Sequence, residues 1–258
     1  MSIRVLVGDC RNLMPLMEAR SVKLALFSPP YGIGKEYEAG ETHESWSAMM
    51  REAVAEIVRV TDESIVCQVG SRVYSAGCIP LDILVAPMFW AHGWTLRNRI
   101  CWHTPAGLHS TKRFSGRHET ALWFTRGPEY TFNLDAVRVP QKYPGKRAFK
   151  GPRRGELSGN PLGKNPGDVW EIAPVGHNNG ERTGHPAQMP AQLARTFILA
   201  LTNEGDTVLD PFAGSGTTGL VAQDLRRHAV LIEQSPAYGD RAKRRIRDAA
   251  PMFAEIVE

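Results

Sequence analysis

Thr207-Val208-Leu209-Asp210-Pro211-Phe212-Ala213-Gly214-Ser215-Gly216-Thr217-Thr218 is the stretch on which the fold turns. A short apolar run closes on an acid, a proline and two glycines. A helix over Thr217 to Arg227 follows, then a second apolar strand, Ala229 to Ile232, that ends at Glu233. Strand, glycine turn, helix and strand form the unit that binds an adenosine-containing cofactor at the carboxyl edge of a sheet. Gly214 and Gly216 let the backbone bend and approach a ligand closely. Glu233, 19 residues beyond Gly214, sits where a carboxylate accepts hydrogen bonds from ribose hydroxyls. The loop lacks the G-K-[ST] lysine of a nucleotide-triphosphate site, and its glycines are not spaced as G-x-G-x-x-G. Asp210 would repel a pyrophosphate but suits a ligand carrying an ammonium and a sulfonium. S-adenosylmethionine therefore fits better than NAD or ATP, with Asp210, Pro211, Phe212, Gly214, Ser215, Gly216, Thr217 and Glu233 as candidate cofactor-binding residues.

Working outward, apolar runs recur at Ile3–Val7, Val22–Phe27, Ile65–Val69, Arg99–Trp102 and Thr120–Thr125. Several are continuous rather than alternating, as expected of strands covered on both faces. Between them, Glu44 to Val60 carries apolar residues at spacings of three and four, and Pro190 to Leu201 opens on a proline suited to a first helical position. Alternating strands and helices predict an α/β fold on a largely parallel sheet. Residues 140 to 190 hold nine of the 24 glycines and eight of the 18 prolines, which predicts an extended loop insertion in that body.

The second decisive segment is Ser28-Pro29-Pro30-Tyr31, at the end of the strand Val22–Phe27. The prolines stiffen the turn, remove backbone donors and leave carbonyl acceptors at the carboxyl edge of the sheet. Methylating an amino nitrogen needs its lone pair, which is otherwise delocalised into a base ring. The Ser28 hydroxyl and a carbonyl of the Pro-Pro unit can hold both amino hydrogens and make that nitrogen more nucleophilic. Tyr31 can stack on a base that has left the duplex, a contact worth ~1–3 kcal/mol. Ser28, Pro29, Pro30 and Tyr31 are the candidate catalytic residues. No cysteine follows a proline, so covalent attack on carbon 5 of cytosine has no candidate.

Together these segments resemble the amino-methyltransferases of DNA, with their [D/N/S]-P-P-[Y/F/W] and D-P-F-x-G-S-G-T-T motifs. The S-P-P-Y precedes the glycine loop, the order of the circularly permuted "beta" group. Gly8-Asp9-Cys10, Arg113-Phe114 with His118-Glu119, Asp168-Val169-Trp170 and His185-Pro186-Ala187-Gln188 are similar to further elements of that group. The resemblance implies a seven-stranded, mixed, doubly wound sheet of the S-adenosylmethionine-dependent, Rossmann-like type. It divides one domain into a catalytic half (1–129), a target-recognition insertion (130–167) and a cofactor-binding half (168–258). It places Asp9 and His185 near the cofactor, although Asp9 also reads as a turn residue and His185 as a helix-entry device. His118 and Glu119 read either as part of a base pocket or as a structural pair. A serine at the head of the tetrapeptide implies cytosine N4 as target, with adenine N6 as the alternative. A protein amide methyltransferase and a silent DNA-binding homologue fit less well, given the motif order and the intact motifs.

Net charge is only +4, yet Ala136 to Gly155 carries seven basic residues and no acid. Lys142, Lys146, Arg147, Lys150, Arg153 and Arg154 are the candidate DNA-binding residues, since phosphate contacts release counterions. Double-stranded DNA is the expected partner, a cognate restriction endonuclease a further one, and the assembly a monomer or homodimer. A hydrophobic fraction of 42% and a charged fraction of 22% are those of a globular protein. No apolar run approaches the ~20 residues of a membrane span, and the first residues do not read as a signal peptide. Cys10, Cys67, Cys78 and Cys101 form no C-x-x-C pair, so no metal site is expected; buried thiols and a cytoplasmic location are. Met88, Trp90 and Trp94 read as core, and the Arg241–Arg247 cluster as a solvated helix face.

Overall fold

A computed structural model describes residues 1–32, 42–74, 77–105, 107, 109–176, 180–249 and, as backbone, 255–257. The elements in chain order are β1 (Ser2–Val7), α1 (Cys10–Leu13), β2 (Val22–Phe27), α2 (His43–Val60), β3 (Thr61–Val69) and a hairpin of β4 (Ser71–Tyr74) and β5 (Gly77–Pro80). After them come α3 (Leu81–Trp90), β6 (Thr95–His103), β7 (His118–Thr125), β8 (Val169–Glu171) and α4 (Ala191–Leu201). The cofactor half ends with β9 (Thr207–Asp210), α5 (Thr217–Asp224), β10 (His228–Glu233), α6 (Pro236–Ala249) and β11 (Glu255–Val257).

One sheet orders nine strands as β11-β1-β10-β9-β2-β3-β7-β6-β8. β7 runs antiparallel to both its neighbours and every other pairing is parallel. The expected seven strands are present as the run from β1 to β6. Two three-residue strands, β11 and β8, extend its edges, and both are too short to be legible as apolar runs.

The continuous apolar strands follow from burial on two faces. On β10, Val230 and Ile232 enter the core beneath α2 and α3, while Ala229 and Leu231 enter the core beneath α4, α5 and α6. Phe27 and Leu26 on β2 divide in the same way. Helix α2 begins at Thr42, whose hydroxyl accepts from Ser45 N while Ser45 Oγ accepts from Thr42 N, a reciprocal cap.

Three surface expectations need correcting. Trp90 is 52% exposed at the end of α3, whereas Trp94 is buried as expected. Cys78 is exposed on the β4–β5 hairpin and Cys101 half-buried, so only Cys10 and Cys67 are buried thiols. The basic cluster on α6 is not wholly solvated, because Arg241 donates to the Thr183 carbonyl at 2.8 Å and Arg245 reaches the glycine turn. Among the described residues, no helix is long and apolar enough to cross a membrane, and no group of acids, histidines and cysteines is arranged to hold a metal.

Candidate active site

Strands β2 and β9 are parallel neighbours, with Leu24 opposite Val208 and Ala25 opposite Leu209. Whatever follows Phe27 and whatever follows Asp210 must therefore emerge side by side at the same sheet edge. Here the strand order reverses, with β10 and β1 lying to one side of β9 and β3 to the other side of β2. Open α/β sheets bind ligands at such a switch point. A cavity of about 750 Å³ lies there, lined by Ser28, Pro29, Pro30 and Tyr31 from one motif and by Asp210 to Ser215 with Thr217, Thr218 and Glu233 from the other.

The glycine turn is built from inside. Gly214 and Gly216 take φ of +51° and +74°, values that favour glycine. Glu233 Oε2 accepts from Gly214 N at 2.7 Å and Oε1 from Ser235 N at 2.8 Å. Asp210 lies under the turn, accepting from Phe212 N at 3.1 Å and from the Thr218 hydroxyl at 2.6 Å. Burial, aided by the charge of Glu233, pushes its carboxyl up to about 7 against the pull of those hydrogen bonds. Arg245 donates to the Ser215 carbonyl at 3.1 Å and to Thr217 Oγ1 at 2.9 Å. Arg241 and Arg245 are one helical turn apart on α6, each adjacent to a buried residue, Ala242 and Ile246.

His185 does not open a helix, since α4 starts at Ala191, six residues further on; it stands against the glycine turn instead. A Cβ on Gly214 would stand 2.9 Å from its Nε2, and its ring meets Tyr238 edge-on at 4.6 Å. Its Nδ1 accepts from Ala187 N at 3.2 Å, which fixes the ring over the turn. Asp9 also lines the cavity. It caps α1 through Arg11 N at 2.9 Å, and the Arg11 guanidinium beside it holds its carboxyl below the ordinary value. Both readings of Asp9, as turn residue and as cavity wall, describe the same side chain.

On the other wall, Trp46 of α2 donates through Nε1 to the Pro30 carbonyl at 2.6 Å. Arg72 of β4 donates through Nε to the Tyr31 carbonyl at 2.9 Å. Of the two carbonyls in the Pro-Pro unit, that of Pro30 is therefore already engaged. Tyr31 borders the cavity with its hydroxyl anchored to Glu119 at 2.9 Å, Gln68 at 2.8 Å and Ser28 at 3.2 Å. Burial, reinforced by Glu119, raises the phenol well above its ordinary value, and burial also raises the Glu119 carboxyl. Trp46, Gln68 and Arg72 carry no motif and escape sequence reading. Glu119 stands in the H-E element, which flagged it without saying what it touches.

The six basic residues of the insertion do not line the cavity. All six are exposed, on a segment pinned by antiparallel bridges between Val139 and Lys164 and between Arg147 and Leu157.

The N6/N4 DNA methylase family model matches residues 22–244. The chain belongs to that family. It is 46% identical over 236 residues to the Type II methyltransferase M.BglII of Bacillus subtilis, covering 90% of this chain and 66% of that relative. It is 32% identical over 261 residues to the DNA adenine methyltransferase YhdJ of Escherichia coli K12, covering 97% and 85%. Among solved structures, the fold matches the DNA modification methylase TTHA0409 of Thermus thermophilus complexed with S-adenosyl-L-methionine (TM-score 0.69, 23% identity, 100% of both chains). It also matches the cytosine-N4-specific PvuII DNA methyltransferase (TM-score 0.68, 22% identity, 95% and 90%). This DNA methylase spans about two thirds of the length of its M.BglII relative.

Proposed function

We propose that this DNA methylase moves a methyl group from S-adenosylmethionine to the N4 amino group of a cytosine swung out of duplex DNA. The observation that carries the reading is the single cavity lined by both Ser28–Tyr31 and the Asp210–Thr218 turn. The cofactor fits the residues present. Two acids, Asp210 and Glu233, face a turn whose glycines a Cβ would crowd, and Arg11 is the one arginine or lysine among the described lining residues. That donor set suits a nucleoside joined to a cationic amino acid better than a pyrophosphate. When bound, S-adenosylmethionine supplies a methyl group already activated on a sulfonium.

The chain's own residues orient and exclude. Glu233 offers acceptors to ribose hydroxyls, Asp210 and the turn hold the methionine side, and His185 and Asp9 close the cavity around them. Pro211, Phe212, Ser215, Gly216 and Thr217 shape the turn. Ser28 and the Pro29 carbonyl accept the two amino hydrogens, Pro30 fixes the corner, and the Tyr31 ring stacks on the base. Holding the nitrogen in line with the methyl supplies most of the acceleration. Ser28 and the Pro29 carbonyl would hold the amino group while the bound cofactor supplied its methyl; the N–C bond gained would replace the C–S bond lost, and the proton released from the amino group would leave to solvent.

The insertion at 130–167 is the proposed grip on DNA, with Lys142, Lys146, Arg147, Lys150, Arg153 and Arg154 against phosphates. Residues 1–129 and 168–258 act as catalytic and cofactor halves of one body. M.BglII's designation as a Type II methyltransferase supports a cognate restriction endonuclease as functional partner. The name of YhdJ gives adenine N6 specific support as the second reading. Mass spectrometry of nucleosides from DNA incubated with the protein and S-adenosylmethionine tests both. N4-methylcytosine is expected, N6-methyladenine transfers the mechanism to the other base, and unmodified DNA refutes the reading.

A further inference from the structure

Side chains from three neighbouring strands converge beneath the Ser-Pro-Pro-Tyr corner. Ser28 and Tyr31 follow β2, Gln68 lies on β3 and Glu119 on β7. The Tyr31 hydroxyl donates to Glu119 Oε2 at 2.9 Å, accepts from Gln68 Nε2 at 2.8 Å and lies 3.2 Å from Ser28 Oγ. Gln68 Nε2 donates to the same Glu119 oxygen. Gly70 makes room for the cluster, because a Cβ there would come within 3.0 Å of the Tyr31 ring and 3.3 Å of the Glu119 carboxyl carbon.

Counting protons gives the arrangement a direction. A phenol has one hydrogen to give, and here it goes to Glu119. Two donors meet on Glu119 Oε2, so that oxygen accepts and carries no proton. The phenol oxygen can then only accept from Ser28, which spends the one hydroxyl hydrogen of Ser28. What Ser28 has left for the cavity is lone pairs.

We propose that Glu119 is a positioning residue that orients the chain Ser28 to Tyr31 to Glu119, so that Ser28 meets the target amino group as an acceptor only. The proposal rests on the methyltransferase reading above. If the direction were reversed, the Ser28 hydrogen would point at the nitrogen lone pair that has to attack the methyl. Ser28 would then oppose the reaction it borders. A carboxylate at the far end favours the productive direction because it is the strongest acceptor of the set.

A double-mutant cycle in kcat tests this, with unmethylated plasmid DNA as substrate. Glu119→Gln keeps the size of the side chain and Tyr31→Phe keeps the stacking ring. Each is expected to lower kcat by roughly 10- to 100-fold, while KM for DNA and the calorimetric Kd for S-adenosylmethionine stay within about 3-fold. The double variant should be no worse than Tyr31→Phe within about 3-fold, since both changes cut the same chain. Multiplicative losses, or wild-type kcat in Glu119→Gln, overturn the proposal. Gly70→Ala perturbs the cluster without touching its chemistry and should lower kcat in the same way; wild-type turnover there also overturns it. Melting curves and cofactor binding show which variants are folded. A wild-type protein that leaves DNA unmethylated sinks the methyltransferase reading instead.

Discussion

The backbone amide of Gly214 donates to Glu233 at 2.7 Å, and the other oxygen of that carboxylate accepts from Ser235 N. One side chain at the end of β10 therefore ties down the turn that follows β9 and the turn that follows its own strand. Each carboxylate oxygen keeps a lone pair for a ligand hydroxyl. Glu233→Ala removes two charge-assisted bonds to backbone and the proposed ribose acceptor, each worth ~1.5–3 kcal/mol. Affinity for S-adenosylmethionine should fall at least ~10-fold by calorimetry, with Glu233→Gln intermediate. An unchanged Kd for Glu233→Ala would remove it from the cofactor site.

Asp210 gives a pH prediction with a definite sign. Its folded value of about 7 lies above the ~3.9 of an unfolded aspartate. The stability it contributes is complete below about pH 4 and is lost as pH rises through about 7. The melting temperature of the unliganded protein should therefore fall between pH 5 and 8 by more than that of Asp210→Asn. A cationic ligand pulls the other way, because the ionised carboxyl attracts a sulfonium. The affinity for S-adenosylmethionine relative to its neutral thioether product should increase as pH passes upward through about 7. A ratio that is flat with pH in the wild type, or equally steep in Asp210→Asn, would contradict this.

Trp46 holds the catalytic corner from behind. Its indole donates to the Pro30 carbonyl at 2.6 Å from a fully buried position. Trp46→Phe retains an aromatic ring but strands that carbonyl, a cost of ~1–3 kcal/mol in stability. Turnover is expected to drop about 10-fold as the corner loosens, because misplacing reacting groups is expensive, while cofactor affinity holds. Equal kcat in the variant would mean that the prolines and Arg72 fix the corner unaided.

These cases show why part of the site can be read in the sequence and part cannot. Gly214, Glu233 and Ser28 sit at strand ends, where a short linear motif fixes the backbone and the strand order fixes the neighbour. Strand β2 beside β9 then brings together segments about 180 residues apart. Trp46, Gln68 and Arg72 act across the sheet from elements whose local pattern reports only burial. Trp46 is indistinguishable from a core residue on the apolar face of α2, and it is one as well. Arg241 and Arg245 stand among other basic residues on α6, and Lys243 and Arg247 flank Ala242 and Ile246 at the same one-turn spacing, so the sequence does not single the inward pair out. Strands β8 and β11 span three residues each, too few to carry a periodic signal.

The insertion carries the last prediction. Its basic residues are not equally available. Arg153 pairs with Glu156 at 2.9 Å and Arg147 donates to the Gly155 carbonyl at 2.6 Å, so both help close the short hairpin that the Arg147–Leu157 bridge begins. Lys150 and Arg154 towards the tip of that hairpin and Lys146 at its base are exposed, as is the Phe149 ring at 81%. Exposed pairs such as Arg153–Glu156 are worth little, ~0–1 kcal/mol, so this segment's charge is held ready rather than spent on folding. Changing Lys146, Arg147, Arg153 and Arg154 together to Glu should weaken DNA binding and reduce the slope of log K against log salt by about 0.9 for each phosphate no longer neutralised. Calorimetric cofactor affinity should be unaltered, since none of the four lines the cavity. Fluorescence anisotropy with a labelled duplex between 50 and 200 mM salt, roughly the range over which such electrostatic binding dominates, reads the slope. A slope equal to that of the wild type would assign the phosphate grip to another surface.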